Sequence, residues 1–240
     1  MKQLIINLIT CMMVLTTCST YAQTISVDHF HKVTISPYIQ VTFVQGDEES
    51  VTINNIIIDS SKLHVEVHGG TLRMYLDGAK EIPHAGQDYH RLYPDHAVIA
   101  TVVYRKLDAL SLRGSETFLC QSPLSADQFT LRLYGESTVI FDEVHIDRMH
   151  TTTYGESSLV IKAGAVHIQH YTCYGEGKIN TTAIAGQEAR VTAYGESEFA
   201  VNVSGRIKIT AFGEARLRYI GTPAIVKGIH VGEMDLKRID

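Results

Sequence analysis

Between residues 109 and 220 apolar and polar positions alternate in short runs, as in VTAYGESEFAVNV from Val191 to Val203. A period of two marks strands with one buried face, and no 3.6-residue helical period competes with it in this region. The alternation restarts at a fixed interval. The segments LRLYGESTVI, TTTYGESSLV, YTCYGEGKIN, VTAYGESEFA and ITAFGEARLR place an aromatic-Gly-Glu unit at Gly135, Gly155, Gly175, Gly195 and Gly213. LRGSETF adds a degenerate unit at Gly114. A repeat of about twenty residues with β-type alternation predicts a solenoid in which each repeat is one coil.

Aligned on the glycines, the repeats sort into columns. Leu131, Thr151, Tyr171, Val191 and Ile209 form one, Leu133, Thr153, Cys173, Ala193 and Ala211 a second, and Val139, Leu159, Ile179, Phe199 and Leu217 a third. These positions are mostly apolar or small and are predicted to face inward. The opposite parity carries Arg132, Thr152, Thr172, Thr192 and Thr210, and beside them Thr130, His150, His170, Arg190 and Lys208. It also places Tyr134, Tyr154, Tyr174, Tyr194 and Phe212 on the outside, with each glycine at a corner. Upstream the chain is β-rich without repeating. YIQVTFVQGDEESVTI reads as a hairpin turned at QGDEE, and KLHVEVHGGTLRMYL as another turned at His68-Gly69-Gly70. HAVIATVVYRKLDALSL supplies further strands leading into the first coil, and GAKEIPHAGQDYHRLYPDH reads as a loop.

The predicted organisation is therefore an all-β chain in three parts. Residues 1–22 have the basic Lys2, an apolar run from Leu4 to Leu15 and small residues at Thr20 and Ala22, the pattern of a secretory signal. Residues 23–108 form a hairpin-rich N-terminal part, and residues 109–240 form the β-helix coils with a C-terminal cap. LTTC at Leu15–Cys18 touches on a lipoprotein signal, but Thr before the cysteine is an unusual choice, so lipidation is not favoured. An exported destination follows: periplasmic, outer-membrane-associated or extracellular, and not transmembrane.

Charge and cysteine content narrow the picture. Loss of Lys2 with the signal takes 21 basic residues to 20 against 26 acidic ones, a net of −6, which leaves no electrostatic footprint for nucleic acid. Cys120 and Cys173 fall three layers and one column apart, roughly 14 Å at ~4.8 Å per layer, beyond disulfide reach, so both are expected as buried free thiols.

Two outward columns carry candidate chemistry. Glu136, Glu156, Glu176, Glu196 and Glu214 stack one per coil, with Glu116 a candidate extension. Neighbouring carboxylates at that spacing repel by roughly 0.9 kcal/mol in water. The glutamates could splay into solvent, pair with a basic column such as Arg190 and Lys208, or bind a cation such as Ca²⁺. The tyrosines could be a structural ladder or, with the carboxylates and threonine hydroxyls, a platform gripping a sugar chain or a protein surface. In the loop, His84, His90 and His96, with Asp88 and Asp95, are candidate Zn²⁺ ligands, although their spacing matches no ligand motif.

The order of the segments FHKVTISPYIQVTFVQGDEESVTI, LHVEVHGGTLRMYL, YRKLDALSLRGS, the glycine units and YIGTPAIVKGI resembles the exported head GIN domain family of bacterial auto-transporter adhesins, common in Bacteroidetes. The resemblance runs over residues 28–235. It implies a right-handed β-helix-like fold, a cell-surface or adhesin role and no established activity, and it brings no catalytic residues. Corners in that family usually read Ser-Gly-Ala-Ser; here Tyr and Glu replace the first Ser and the Ala, which leaves the fold alone and changes the surface.

No nucleophile motif, phosphate loop or paired-acid signature is present. Equivalent glutamates in every coil suit extended binding better than one reaction centre, so the reading leans away from an enzyme. The leading expectation is an exported, adhesin-like binding protein that contacts a glycan or protein surface through the Tyr/Glu ladder. A carbohydrate-active β-helix enzyme and a purely structural envelope protein are the alternatives. A second copy of the chain is a candidate for covering the last coil.

Overall fold

Residue spacing along the repeat dictates the architecture seen in a computed structural model of the chain, which describes residues 23–79 and 92–239. The signal segment, His84 and His90 lie outside the described residues. The N-terminal strands are β1 (Gln23–Ser26), β2 (Lys32–Ile35), β3 (Ile39–Gln45), β4 (Ser50–Ile56), β5 (Leu63–His68), β6 (Thr71–Leu76) and β7 (Val98–Tyr104). The coils begin with β8 (Ala109–Gly114), β9 (Thr117–Cys120), β10 (Leu124–Gly135), β11 (Thr138–Phe141) and β12 (Val144–Gly155). They continue through β13 (Ser158–Ile161), β14 (Gly164–Tyr174) and the unbroken run β15 (Lys178–Ile220), and close with β16 (Ala224–Val231) and β17 (Met234–Arg238).

The coils form a β-solenoid of about six turns with ~20-residue repeats. Parallel pairing holds each repeat in register with the next: Tyr134 opposite Tyr154, Tyr154 opposite Tyr174, and Tyr174 opposite Tyr194. Each turn contributes one strand to a first sheet (β8, β10, β12, β14, β15, β16) and one to a second (β9, β11, β13, β15, β17). All three columns predicted to face inward are buried. Cys120 and Cys173 are buried free thiols, as their columns require. Burial raises the pKa of Cys173 to about 11, so this thiol stays protonated and inert at neutral pH.

The corner explains why glycine recurs. Gly155 has φ +92°, a conformation disfavoured for a residue with a Cβ, and an added Cβ would stand 2.7 Å from the carbonyl oxygen of Gly135 in the layer below. Two residues on, the chain turns inward with a small buried residue. The hydroxyls of Ser137, Ser157 and Ser197 donate to the carbonyls of Gly114, Gly135 and Gly175, at 3.0–3.1 Å.

The N-terminal strands continue the same stack rather than standing beside it. In the first sheet β6 pairs with β2 and β2 with β8, all parallel; in the second β7 pairs with β3 and β3 with β9. A single apolar core runs from Phe30 to Leu217. The hairpin turned at Gly69-Gly70 forms as predicted, β5 against β6, with φ +57° and +68° supplying the two-residue turn. The other predicted hairpin does not form. The chain reverses after Gln45, but β7 lies between β3 and β4, parallel to the first and antiparallel to the second. Local turn chemistry set the reversal, while a strand some fifty residues downstream supplied the better partner.

Candidate functional site

The outward side of the Tyr-Gly-Glu corner brings the sequence-predicted residues together as two parallel rows. Successive rings Tyr134, Tyr154, Tyr174, Tyr194 and Phe212 stack with centroids 4.9, 5.0, 4.9 and 5.2 Å apart and planes within 6° of parallel. The row extends the layer spacing of the sheet over about 20 Å. At its start the Arg113 guanidinium lies 5.3 Å over the Tyr134 ring, a cation–π cap; at its end Phe212 is paired with Val231. The rings of Tyr154, Tyr174, Tyr194 and Phe212 remain 37–41% exposed.

Stacking decides what those rings can offer. Their faces are turned to one another, so the row shows solvent its edges and phenol tips rather than open π-faces. No Tyr hydroxyl of the row has a hydrogen-bond partner among the described residues, leaving each able to donate and accept outward. The stack itself contributes about 1 kcal/mol per ring pair to the register of the coils.

One residue beyond each corner glycine stand Glu136, Glu156, Glu176, Glu196 and Glu214, all exposed. Their backbone amides belong to the ladder, as where Glu136 donates to Gly114 and Glu176 to Gly155. Their carboxylates splay into solvent. The predicted pairing with Arg190 and Lys208 does not occur: those residues stand on the first sheet, six positions upstream along each strand. Among the described residues no three His, Cys, Asp or Glu side chains converge to hold a metal. A hollow of about 170 Å³ opens between Glu176, Glu196 and Glu214, where Lys178 and Arg216 also line the wall. His96 sits exposed at the end of its loop, and Tyr93 is drawn inward, its hydroxyl donating to the Asp77 carbonyl at 2.8 Å.

Glu116 is not part of the carboxylate row. The spacing of 21 residues from Gly114 to Gly135 shifts it one place, into the column of the buried corner serines, where it is 1% exposed. Its carboxylate accepts from the amides of Tyr38 at 2.9 Å and Ser115 at 3.0 Å. Tyr38 has φ +71°, so the buried acid fastens a left-handed corner in the adjoining N-terminal layer. Burial raises its pKa, against the pull of those amide bonds.

A feature the repeat alignment only partly exposed lies on the outer face of the first sheet. Register places Arg148, Ile168 and Glu188 in one column and His150, His170 and Arg190 in the next. His150 and His170 approach Nδ1 to Nδ1 at 3.3 Å, with rings 4.6 Å apart and nearly perpendicular. Burial and the neighbouring cations lower the pKa of both. Extending the alternation two residues upstream of His150 would have revealed the Arg148 column. A surface depression of about 870 Å³ lies elsewhere, where the chain leaves β3, β7 and β9, and holds none of these residues.

A parallel solenoid with rows of identical side chains along one corner defines a class of protein with an extended, ladder-like surface in place of a cleft. The chain belongs to the family described as "Putative auto-transporter adhesin, head GIN domain", whose model matches residues 29–223. It is similar to a "putative adhesin" from Bacteroides fragilis at 17% identity and TM-score 0.74, over 91% of this chain and 96% of that one. It is also similar to a "putative lipid binding protein" from Parabacteroides distasonis at 18% identity and TM-score 0.65, over 91% and 96%. A third structure, a "putative adhesin" from Parabacteroides merdae, matches at 16% identity and TM-score 0.60, over 91% and 95%. At these identities the likeness is one of fold. No curated protein matches the chain. Among the described residues no helix is long and apolar enough to cross a membrane.

Proposed function

We propose that this is an exported, non-enzymatic binding protein of the cell envelope or surface, which contacts a glycan or protein through the Tyr/Glu corner. The observation that carries the reading is the row of exposed, stacked rings whose phenol hydroxyls are unpartnered among the described residues, running beside five solvent-facing carboxylates. Such a row presents donors and acceptors at a repeat of about 5 Å. An extended partner can engage several at once, so modest contacts multiply through linkage. The name of the family, an adhesin family, agrees with this reading.

A second reading, in which the row only fastens the coils, is favoured by the stacking of ring on ring. One experiment separates them. Melting of the purified protein is followed against a panel of neutral and charged polysaccharides and surface-protein extracts, because a ligand of the folded form raises the midpoint with concentration. The expected result is a shift that shrinks stepwise in Tyr154→Ser, Tyr174→Ser and Tyr194→Ser. Variants that melt lower, with no ligand moving the midpoint of any form, would leave the row as a fastening alone.

A further inference from the structure

The first sheet carries a second surface, separate from the corner rows. Arg148 and Arg190, the imidazoles of His150 and His170, and Arg206 and Lys208 in the next repeat occupy two adjacent outward columns over four coils. Glu188 is the single carboxylate in those columns. None of the four Arg and Lys residues makes an ion pair within 4 Å among the described residues. On the second sheet three cations are matched: Arg216 with Glu198 at 2.9 Å, Arg218 with Asp235 at 2.6 Å and Lys162 with Asp142 at 2.7 Å. The glutamate row does not neutralise the patch either, since six residues of strand separate Arg190 from Glu196. That is about 20 Å, twice the screening length of physiological salt. An acidic chain thus concentrates unpaired positive charge on one flat face.

We infer that this face binds a linear acidic polysaccharide, one bearing repeated carboxylate or sulfate groups. The inference deepens the proposed binding role by naming the chemical class of partner, and it rests on that role. Three observations favour this occupant. Arg190 and the pair Arg206 and Lys208 occupy successive layers about 4.8 Å apart, with Arg148 two layers before Arg190, so a linear chain of anions can meet them in turn along the axis. The adjoining column of Thr152, Thr172, Thr192 and Thr210 supplies hydroxyls suited to the sugar hydroxyls of the same chain. The stacked tyrosines then stand as a wall between the bound polyanion and the repelling glutamates. An anionic membrane fits less well, because, of the most exposed large apolar residues, Ile57 and Leu92 lie off this sheet, while Ile229 and Val231 stand only on its last strand, β16, beyond the layer of Arg206 and Lys208.

The test is calorimetric titration of the whole protein with polygalacturonate and with heparin, using neutral dextran and vesicles containing phosphatidylglycerol as comparisons. The expected result is binding of at least one acidic polysaccharide that weakens steeply with salt and falls at least tenfold in the double variant Arg190→Gln/Lys208→Gln, while Arg190→Lys retains it. Unchanged melting of the double variant would show that the loss is not one of folding. Binding of neutral dextran that is indifferent to the double variant but lost in Tyr154→Ser/Tyr174→Ser would overturn the inference and leave the corner reading standing. Capture by the vesicles without either polysaccharide would overturn it in favour of a lipid surface. Silence toward every probe, together with failure of the wider ligand panel, would remove both.

Discussion

The two long faces of the solenoid are made from the same coils and handle charge in opposite ways. On the second sheet three cations find an acid in a neighbouring layer: Lys162 meets Asp142, Arg216 meets Glu198, and Arg218 meets Asp235. On the first sheet the layers stack cation on cation, imidazole on imidazole and phenol on phenol. Stacking like on like costs stability where the groups are charged. Opposite charges matched across layers, as at Lys162, Arg216 and Arg218, are what stability alone favours. The difference therefore singles out the first sheet and its adjoining corner as surfaces shaped by something other than the coil.

Breaking the corner that divides the faces should have the largest effect. Gly155→Ala forces a Cβ against the Gly135 carbonyl at a positive φ and is expected to lose about 3 kcal/mol, read by chemical denaturation. Next comes the row itself. Tyr174→Ala removes two stacked contacts and should lose about 2 kcal/mol, whereas Phe212→Ala, which removes one ring–ring contact, should lose about half of that. The paired and unpaired cations then divide by sign. Arg216→Ala should lose less than about 1 kcal/mol, and Arg190→Ala should lose nothing or melt slightly higher at low salt, a gain that vanishes as salt screens it. Equal losses at both positions would erase the contrast between the faces.

The smallest effect is a matter of pH. His150 and His170 sit beside Arg148, Arg190 and Glu188, and their folded pKa values lie below the free value near 6.5. A depressed histidine contributes stability that is present above the unfolded pKa and lost as pH falls from that value through the lower folded one. Melting midpoints should therefore drop between pH 7.5 and 5 more steeply in the native protein than in His150→Gln/His170→Gln. Parallel slopes would show that the imidazole pair titrates without strain.

Much of this was legible in the residues. The glycine period gave the coil, parity gave the three buried columns, and their register kept Cys120 from Cys173. What escaped was non-local or directional. Gln45–Glu49 carries good turn chemistry, yet no residue near it names β7 as the strand that will come between β3 and β4. Glu116 sits where one extra residue slips the repeat, so its letter matches the outer row and its position matches the inner serines. The tyrosine column was readable, but the tilt that hides ring faces and leaves phenol tips depends on neighbouring layers. Arg190 shares a repeat with Glu196 in the sequence, but six positions along the strand and past the corner keep the two apart.

The order of layers in the N-terminal part bears on how the protein comes to be built. Along the axis the strands run β5, β6, β2, β8 in one sheet and β1, β4, β7, β3, β9 in the other, so β2 and β3, made early, lie between segments made later. Rung-by-rung growth from the amino terminus is therefore closed to this chain. β2 and β3 must wait, unpaired on both edges, until residues 71–120 have emerged, and such long-range closure is slow. Docking of these two strands is therefore deferred until roughly half of the chain has been made. Removing the last coil would shorten the stack, whereas removing β2 and β3 would take a layer from its middle and leave the outer one with nothing to rest on.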